Sequence, residues 1–110
     1  MKPLSLPVLL LLVVPPLAVA GEIYGKVSYN GVAVGEGTEI IAECGGTTYP
    51  AVKTDKTGTY NLVVAQTGKC TLTVKHKAES ATLSVASYED AAQADILLET
   101  KDGKLTARRR

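Results

Sequence analysis

Thr54-Asp55-Lys56-Thr57-Gly58-Thr59-Tyr60-Asn61-Leu62 is a polar turn that runs directly into an alternating stretch. The Asp55 carboxylate can fold back onto the amides that follow it, as Asx-turns do. Gly58 supplies a position where positive φ carries no steric cost. Tyr60, Leu62 and Val64 then alternate with Thr59, Asn61 and Val63, which predicts a strand with one buried face.

Similar alternation surrounds this unit. Glu22 to Tyr29 places Ile23, Gly25, Val27 and Tyr29 on one face and Glu22, Tyr24, Lys26 and Ser28 on the other. Asn30-Gly31 is a turn dipeptide, and a glycine-punctuated crossing follows to Gly37. Thr38 to Cys44 gives a second strand with Thr38, Ile40, Ala42 and Cys44 inward. Thr47 to Lys53 gives a third, and its Pro50 cannot donate to a ladder, so this strand belongs at an edge or a bulge. After the Thr59 strand, Lys69 to Lys77 turns Cys70, Leu72, Val74 and His76 inward. Ala81 to Ser87 and Ala94 to Glu99 complete seven short strands. Ala91 to Ala94 has helical propensity but is too short to hold a helix alone. Leu105 to Arg110 reads as a frayed end. Seven strands with a turn every ten or so residues describe a sandwich.

The N-terminus is a separate element. Met1-Lys2 precedes an apolar run from Leu4 to Val14, then Pro15-Pro16 and Ala18-Val19-Ala20. This is the pattern of a secretory signal cleaved before Gly21. An uncleaved anchor is the rival reading, although the run is shorter than the roughly 20 residues a spanning helix needs. No cysteine stands at the cleavage site to carry lipid. Of the 12 Lys and Arg and 11 Asp and Glu, Lys2 leaves with the leader, so the mature chain is neutral with His76 uncharged. A neutral domain has no broad field to attract nucleic acid.

Four segments carry a likeness to a known family. Ile23-x-Gly25-x-Val27, Gly31-Val32-Ala33-Val34 and Thr54-Asp55-x-x-Gly58-x-Tyr60-x-Leu62, continued by Gly68-Lys69-x-Thr71-Leu72-x-Val74, resemble the carboxypeptidase regulatory-like domain, a transthyretin-like (prealbumin-like) β-sandwich. The resemblance runs from about Ile23 to Val74. Ala33 stands where that family usually has proline, and the last two strands have no signature, so their order stays open. The resemblance implies an accessory or binding module rather than a particular activity.

Few residues carry chemistry. Cys44 and Cys70 are the only cysteines, both on inward faces of an exported chain. An even count in an oxidising compartment predicts a disulfide, and two thiols without C-x-x-C spacing or a nearby His make a poor zinc site. His76 is the only histidine, flanked by Lys75 and Lys77, with no partner at a revealing spacing. Within the transthyretin-like fold, hydroxyisourate hydrolases use several histidines and a Tyr-Arg-Gly-Ser tail, and intradiol dioxygenases hold iron with two His and two Tyr. This chain matches neither. No Gly-x-Ser-x-Gly elbow or phosphate-binding glycine loop occurs. Asp55 to Gly58 lacks the ligand alternation and final Glu of a calcium loop. There is no Trp or Phe, and of the five tyrosines Tyr24, Tyr49 and Tyr88 are candidates for exposure. Arg108-Arg109-Arg110, with Lys104 nearby, is a short basic end that aids solubility, or else touches anionic lipid, polysaccharide or an acidic partner.

The sequence therefore predicts an all-β protein: a signal peptide at 1–20, a single seven-stranded transthyretin-like (Ig-like) sandwich at 21–100, and a flexible basic tail at 101–110. The expected structural residues are the Cys44–Cys70 disulfide and the turn of Asp55, Gly58 and Tyr60. The expected function is a secreted or periplasmic, non-catalytic accessory module without metal or cofactor. Its expected partner is a protein or an envelope polysaccharide, with no nucleic acid and no stable membrane span after cleavage. The Pro50-bearing edge is one route, by strand addition. The alternative is a small carbohydrate-binding module.

Overall fold

The computed structural model describes residues 21–65, 67–88 and 90–110. The expected leader, 1–20, lies outside the described residues. The described chain holds no helix and folds into two packed sheets, so it is an all-β sandwich. Its strands are β1 (Gly21–Tyr29), β2 (Val32–Ala33), β3 (Glu39–Cys44), β4 (Thr47–Thr48), β5 (Val52–Lys53), β6 (Thr59–Val64), β7 (Gly68–His76), β8 (Glu79–Ser87), β9 (Ala91–Gln93), β10 (Ile96–Lys101) and β11 (Lys104–Arg109). The larger sheet contains β1, β2, β6, β9, β10 and β11, and the smaller contains β3, β4, β5, β7 and β8. Alternation delivers Ile23, Val27, Tyr60, Leu62, Val64, Ile96 and Leu98 from one sheet against Ile40, Ala42, Leu72, Val74, Leu83 and Val85 from the other.

β1 is the spine of the larger sheet. Its first six residues pair antiparallel with β6 on one side, Gly21 opposite Val64 through Lys26 opposite Thr59. On the other side it pairs parallel with β9 (Glu22–Tyr24 with Ala91–Gln93) and then with β10 (Val27–Tyr29 with Ile96–Leu98). The offset between paired residues is the same in both parallel segments, so β9 and β10 are one strand interrupted at Ala94-Asp95 without an inserted residue. A regular parallel ladder would aim the Ala94 carbonyl at the Lys26 amide. Instead that carbonyl turns inward and accepts the Tyr60 hydroxyl at 2.5 Å, while Asp95 Oδ1 takes the Lys26 N–H at 3.0 Å.

Gly25 makes this possible. A Cβ there would stand 2.5 Å from the Ala94 oxygen and 2.7 Å from Asp95 Oδ1. Tyr60 is the cross-strand partner of Gly25, so its ring crosses the gap a side chain would fill and its hydroxyl reaches the far side of β1. Leaving the buried carbonyl unpaired would cost about 1–3 kcal/mol.

The Thr54 side of the turn closes the other loop. Thr54 is buried; its hydroxyl donates to the Gly35 carbonyl at 2.6 Å and accepts from the Thr38 amide at 3.0 Å. The stretch expected as a third strand is broken. β4 and β5 both pair with β3, but their registers differ by one residue across Tyr49-Pro50-Ala51. Pro50 therefore sits at an edge and in a bulge.

The C-terminal part departs from expectation in two places. Ala91–Gln93, given no element by its sequence, is strand, because β1 offers it a parallel ladder. Lys104–Arg109 is not a loose tail but β11, antiparallel to β10. Asp102-Gly103 has the paired positive φ values, 52° and 78°, of a tight hairpin turn. Leu105 and Ala107 pack on the core, while Arg108 stands outward near Glu99 at 3.9 Å.

Cys44 and Cys70 face each other as paired residues of β3 and β7, with Cα atoms 4.3 Å apart, and are bonded to one another. The bond closes a 26-residue separation that includes β6, so it ties the chain's excursion to the other sheet back to its starting point. By the chain-entropy model such a loop contributes about 3–4 kcal/mol. Intact mass should be unchanged by alkylation unless reductant is added first. Reduction should lower unfolding free energy by about 3 kcal/mol in urea titration.

Candidate functional site

His76 ends β7 at one end of the sandwich. Its Nδ1 lies 3.2 Å from Thr38 Oγ1, and its ring stands 5.2 Å from that of Tyr29 at 37°. Tyr29 in turn shares a 2.7 Å hydrogen bond with Thr100. Partial burial, then the charge of Lys77, hold the imidazole pKa below its ordinary value against the opposing pull of Glu79. Thr38 is buried, so its hydroxyl cannot meet a substrate as a nucleophile. The depressions beside this pair hold about 70 and 160 Å³, below the several hundred Å³ of ligand pockets. Tyr29 and His76 thus bridge the two sheets and cap one end of the core.

The other singled-out residues are structural in the same sense. Asp55 Oδ1 accepts from the Thr57 amide (2.9 Å), the Thr57 hydroxyl (2.8 Å) and the Thr59 amide (3.0 Å). Those bonds, the Thr59 amide first and the Thr57 hydroxyl next, hold its carboxyl below the usual carboxylate range. Gly58 takes φ +80° and lends its carbonyl to the Val27 amide at 2.8 Å, fixing the turn on β1. Tyr60 is buried in the core; burial first, and then the charge of Asp95, raise its phenol pKa. The half-cystines are buried as well. Among the described residues no group of three or more His, Cys, Asp or Glu side chains is placed to hold a metal.

The polar groups with room to act lie on the outer face of the larger sheet. Even-numbered residues of β1 point there. The registers put Asn61, Tyr24 and Gln93 in one row across β6, β1 and β9, with Val63, Glu22 and Ala91 in the row beside it. Tyr24 is 36% exposed and Val63 63%. The Asn61 amide donates to the Glu22 carboxylate, and Gln93 Nε2 lies 3.4 Å from Asp95 Oδ1. Arg109 reaches the Gln93 carbonyl at 2.6 Å. Along β1 the face runs into a cleft of about 490 Å³ lined by Lys26, Ser28, Asp95, Leu97 and Arg110 among others. A cleft of similar size by the β7–β8 turn carries Glu39, Lys75, Lys77 and Glu79 but no aromatic side chain.

Of the three tyrosines expected at the surface, Tyr24 and Tyr88 are there, whereas Tyr49 packs against the core and its hydroxyl accepts from the Ala65 amide at 3.0 Å. The roles of Asn61, Gln93 and Asp95 were not foreseen. The sequence shows Asn61 only as outward-facing and gives Gln93 no element of its own. Nothing in either strand alone puts them on opposite sides of Tyr24; the parallel closure of the last strands onto the first does.

No known family profile matches the chain, and no curated protein does either. Among solved structures it is similar to a DUF3823 family protein from Parabacteroides merdae, with a TM-score of 0.49 and 15% identity over 84% of this chain and 47% of that one. The chain thus spans about half the length of that structure. Nothing about activity or ligand passes between chains at that level of likeness.

A lowered carboxyl pKa in the folded state means stability present above the unfolded carboxylate pKa and lost as pH falls through the folded one. Asp55 should therefore contribute to acid unfolding. In Asp55→Asn the folded state should be weaker at neutral pH, and its stability should fall less between pH 5 and 2 than the parent's, measured by urea unfolding across that range.

Proposed function

We propose that this chain is an exported, non-catalytic binding module of the carboxypeptidase regulatory-like type. Its working surface is the outer face of β1, β6 and β9, and its partner is a protein or polysaccharide of the cell envelope or the medium. One observation carries the reading. His76, Thr38, Tyr60, Asp55, Asp95 and both cysteines are engaged in holding the sandwich together, while Tyr24 and the side chains of Glu22, Asn61 and Gln93 around it face solvent and hold no such duty. The residues that resemble the regulatory-like family, Gly25, Gly58 and Tyr60 among them, are those that fix β1 and its neighbours. The leader-like start and the disulfide favour an oxidising compartment. No helix among the described residues is long and apolar enough to cross a membrane.

Strand addition at the Pro50 edge is the weaker route. β4 and β5 are two residues each and separated by a bulge, which is how natural sheets blunt an edge.

Capture from envelope and secreted fractions, using the chain from Gly21, tests the reading. A partner should be retained by the parent and by Thr82→Ala on the outer face of the smaller sheet, and lost with Tyr24→Ala. Equal retention by both variants would refute the assignment of the face.

A further inference from the structure

The surface around Tyr24 also constrains what kind of molecule it can hold. Tyr24 stands between two amide–carboxylate pairs, Asn61 with Glu22 on one side and Gln93 with Asp95 on the other. Each amide is engaged through its NH₂ end, so its carbonyl oxygen remains an acceptor, and each carboxylate has further lone pairs. The two amides sit two strand spacings apart, roughly 10 Å, with the phenol ring between them.

Three ligand classes fit this surface poorly. Glu22 and Asp95 stand beside Lys26 and Arg110, so the face has no field of one sign to hold a polyanion. The large exposed apolar side chains of β1 and β6 there are Tyr24 and Val63, too little for the desolvated centre of a protein interface or for insertion into lipid. A ligand that suits it is neutral, carries hydroxyls in adjacent pairs, and has an apolar C–H face to lie on an aromatic ring.

Resting on the binding face proposed above, the geometry points to a neutral oligosaccharide. It lies along the outer face of β1, with one sugar ring on Tyr24 and neighbouring hydroxyls donating to the Asn61–Glu22 and Gln93–Asp95 pairs. From Tyr24 to Ser28 the strand advances roughly 13 Å, which carries the saccharide from the ring into the cleft floored by Leu97.

The test is a ¹H–¹⁵N NMR titration of the chain from Gly21 with α-glucan, β-glucan, xylan and mannan hexasaccharides. At least one should give saturable shifts centred on residues 22–28, 61, 63 and 93. Tyr24→Ala should weaken that binding by about tenfold or more, Tyr24→Phe by no more than about threefold, and Thr82→Ala not at all, since tenfold corresponds to the loss of one good stacking contact. Dispersed spectra of each variant exclude unfolding as the cause. No saturable shift with any of the four, or shifts centred on another surface, would overturn the inference. If no saccharide binds while Tyr24→Ala still abolishes capture of a protein partner, the saccharide assignment falls and the binding face stands.

Discussion

A single peptide carbonyl turned out of its ladder sets the architecture of this sandwich. The Ala94 oxygen points into the core, where water cannot satisfy it, and the Tyr60 hydroxyl does so from across β1. The arrangement demands an absence at Gly25, because any Cβ there would collide with that oxygen. It also demands a substitute acceptor for the Lys26 amide, which Asp95 supplies. Gly25, Tyr60, Ala94 and Asp95 are therefore one interlocked unit. Through it the last strands of the chain lock onto the first, with unbroken register on either side of the interruption.

The rest follows from where that lock leaves the chain. With β1 held between β6 and the β9–β10 strand, the even-numbered side chains of β1 face solvent and the odd ones face the smaller sheet. The turn beginning at Thr54 delivers Tyr60 to its position: Thr54 pins the loop before β3, Asp55 closes the turn, and Gly58 sits against Val27. The Cys44–Cys70 bond then fastens the two ends of the segment that crosses between the sheets. The same register that builds the core brings Asn61 and Gln93 to either side of Tyr24. The candidate surface is thus a consequence of the closure and needs no loop of its own.

The inward faces of β1, β3, β6, β7 and β8 were legible in the sequence because strand alternation is a local signal and each of these strands buries one face. The Cys44–Cys70 pairing and the edge position of Pro50 were legible for equally local reasons. What was not legible depended on pairing between distant strands. Ala91–Gln93 has helix-forming composition, and only the parallel ladder with Glu22–Tyr24 makes it strand. Lys104–Arg109 looked like a solvated basic end because its arginines outweighed the alternation of Leu105 and Ala107. The strand that the Asp102-Gly103 turn serves was not recognised. Tyr60 was read as a core residue, whereas its hydroxyl is as important as its ring, and that could be known only with Ala94 in place.

The most direct test of the closure is equilibrium urea unfolding of Gly25→Ala beside the parent. An added methyl must displace the Ala94–Asp95 backbone or the strand that faces it, so the account predicts a loss of about 2 kcal/mol or more, with faster amide exchange at Lys26 and Ala94. A variant as stable as the parent, with those amides equally protected, would show that the inward carbonyl is not the constraint on which the sandwich depends.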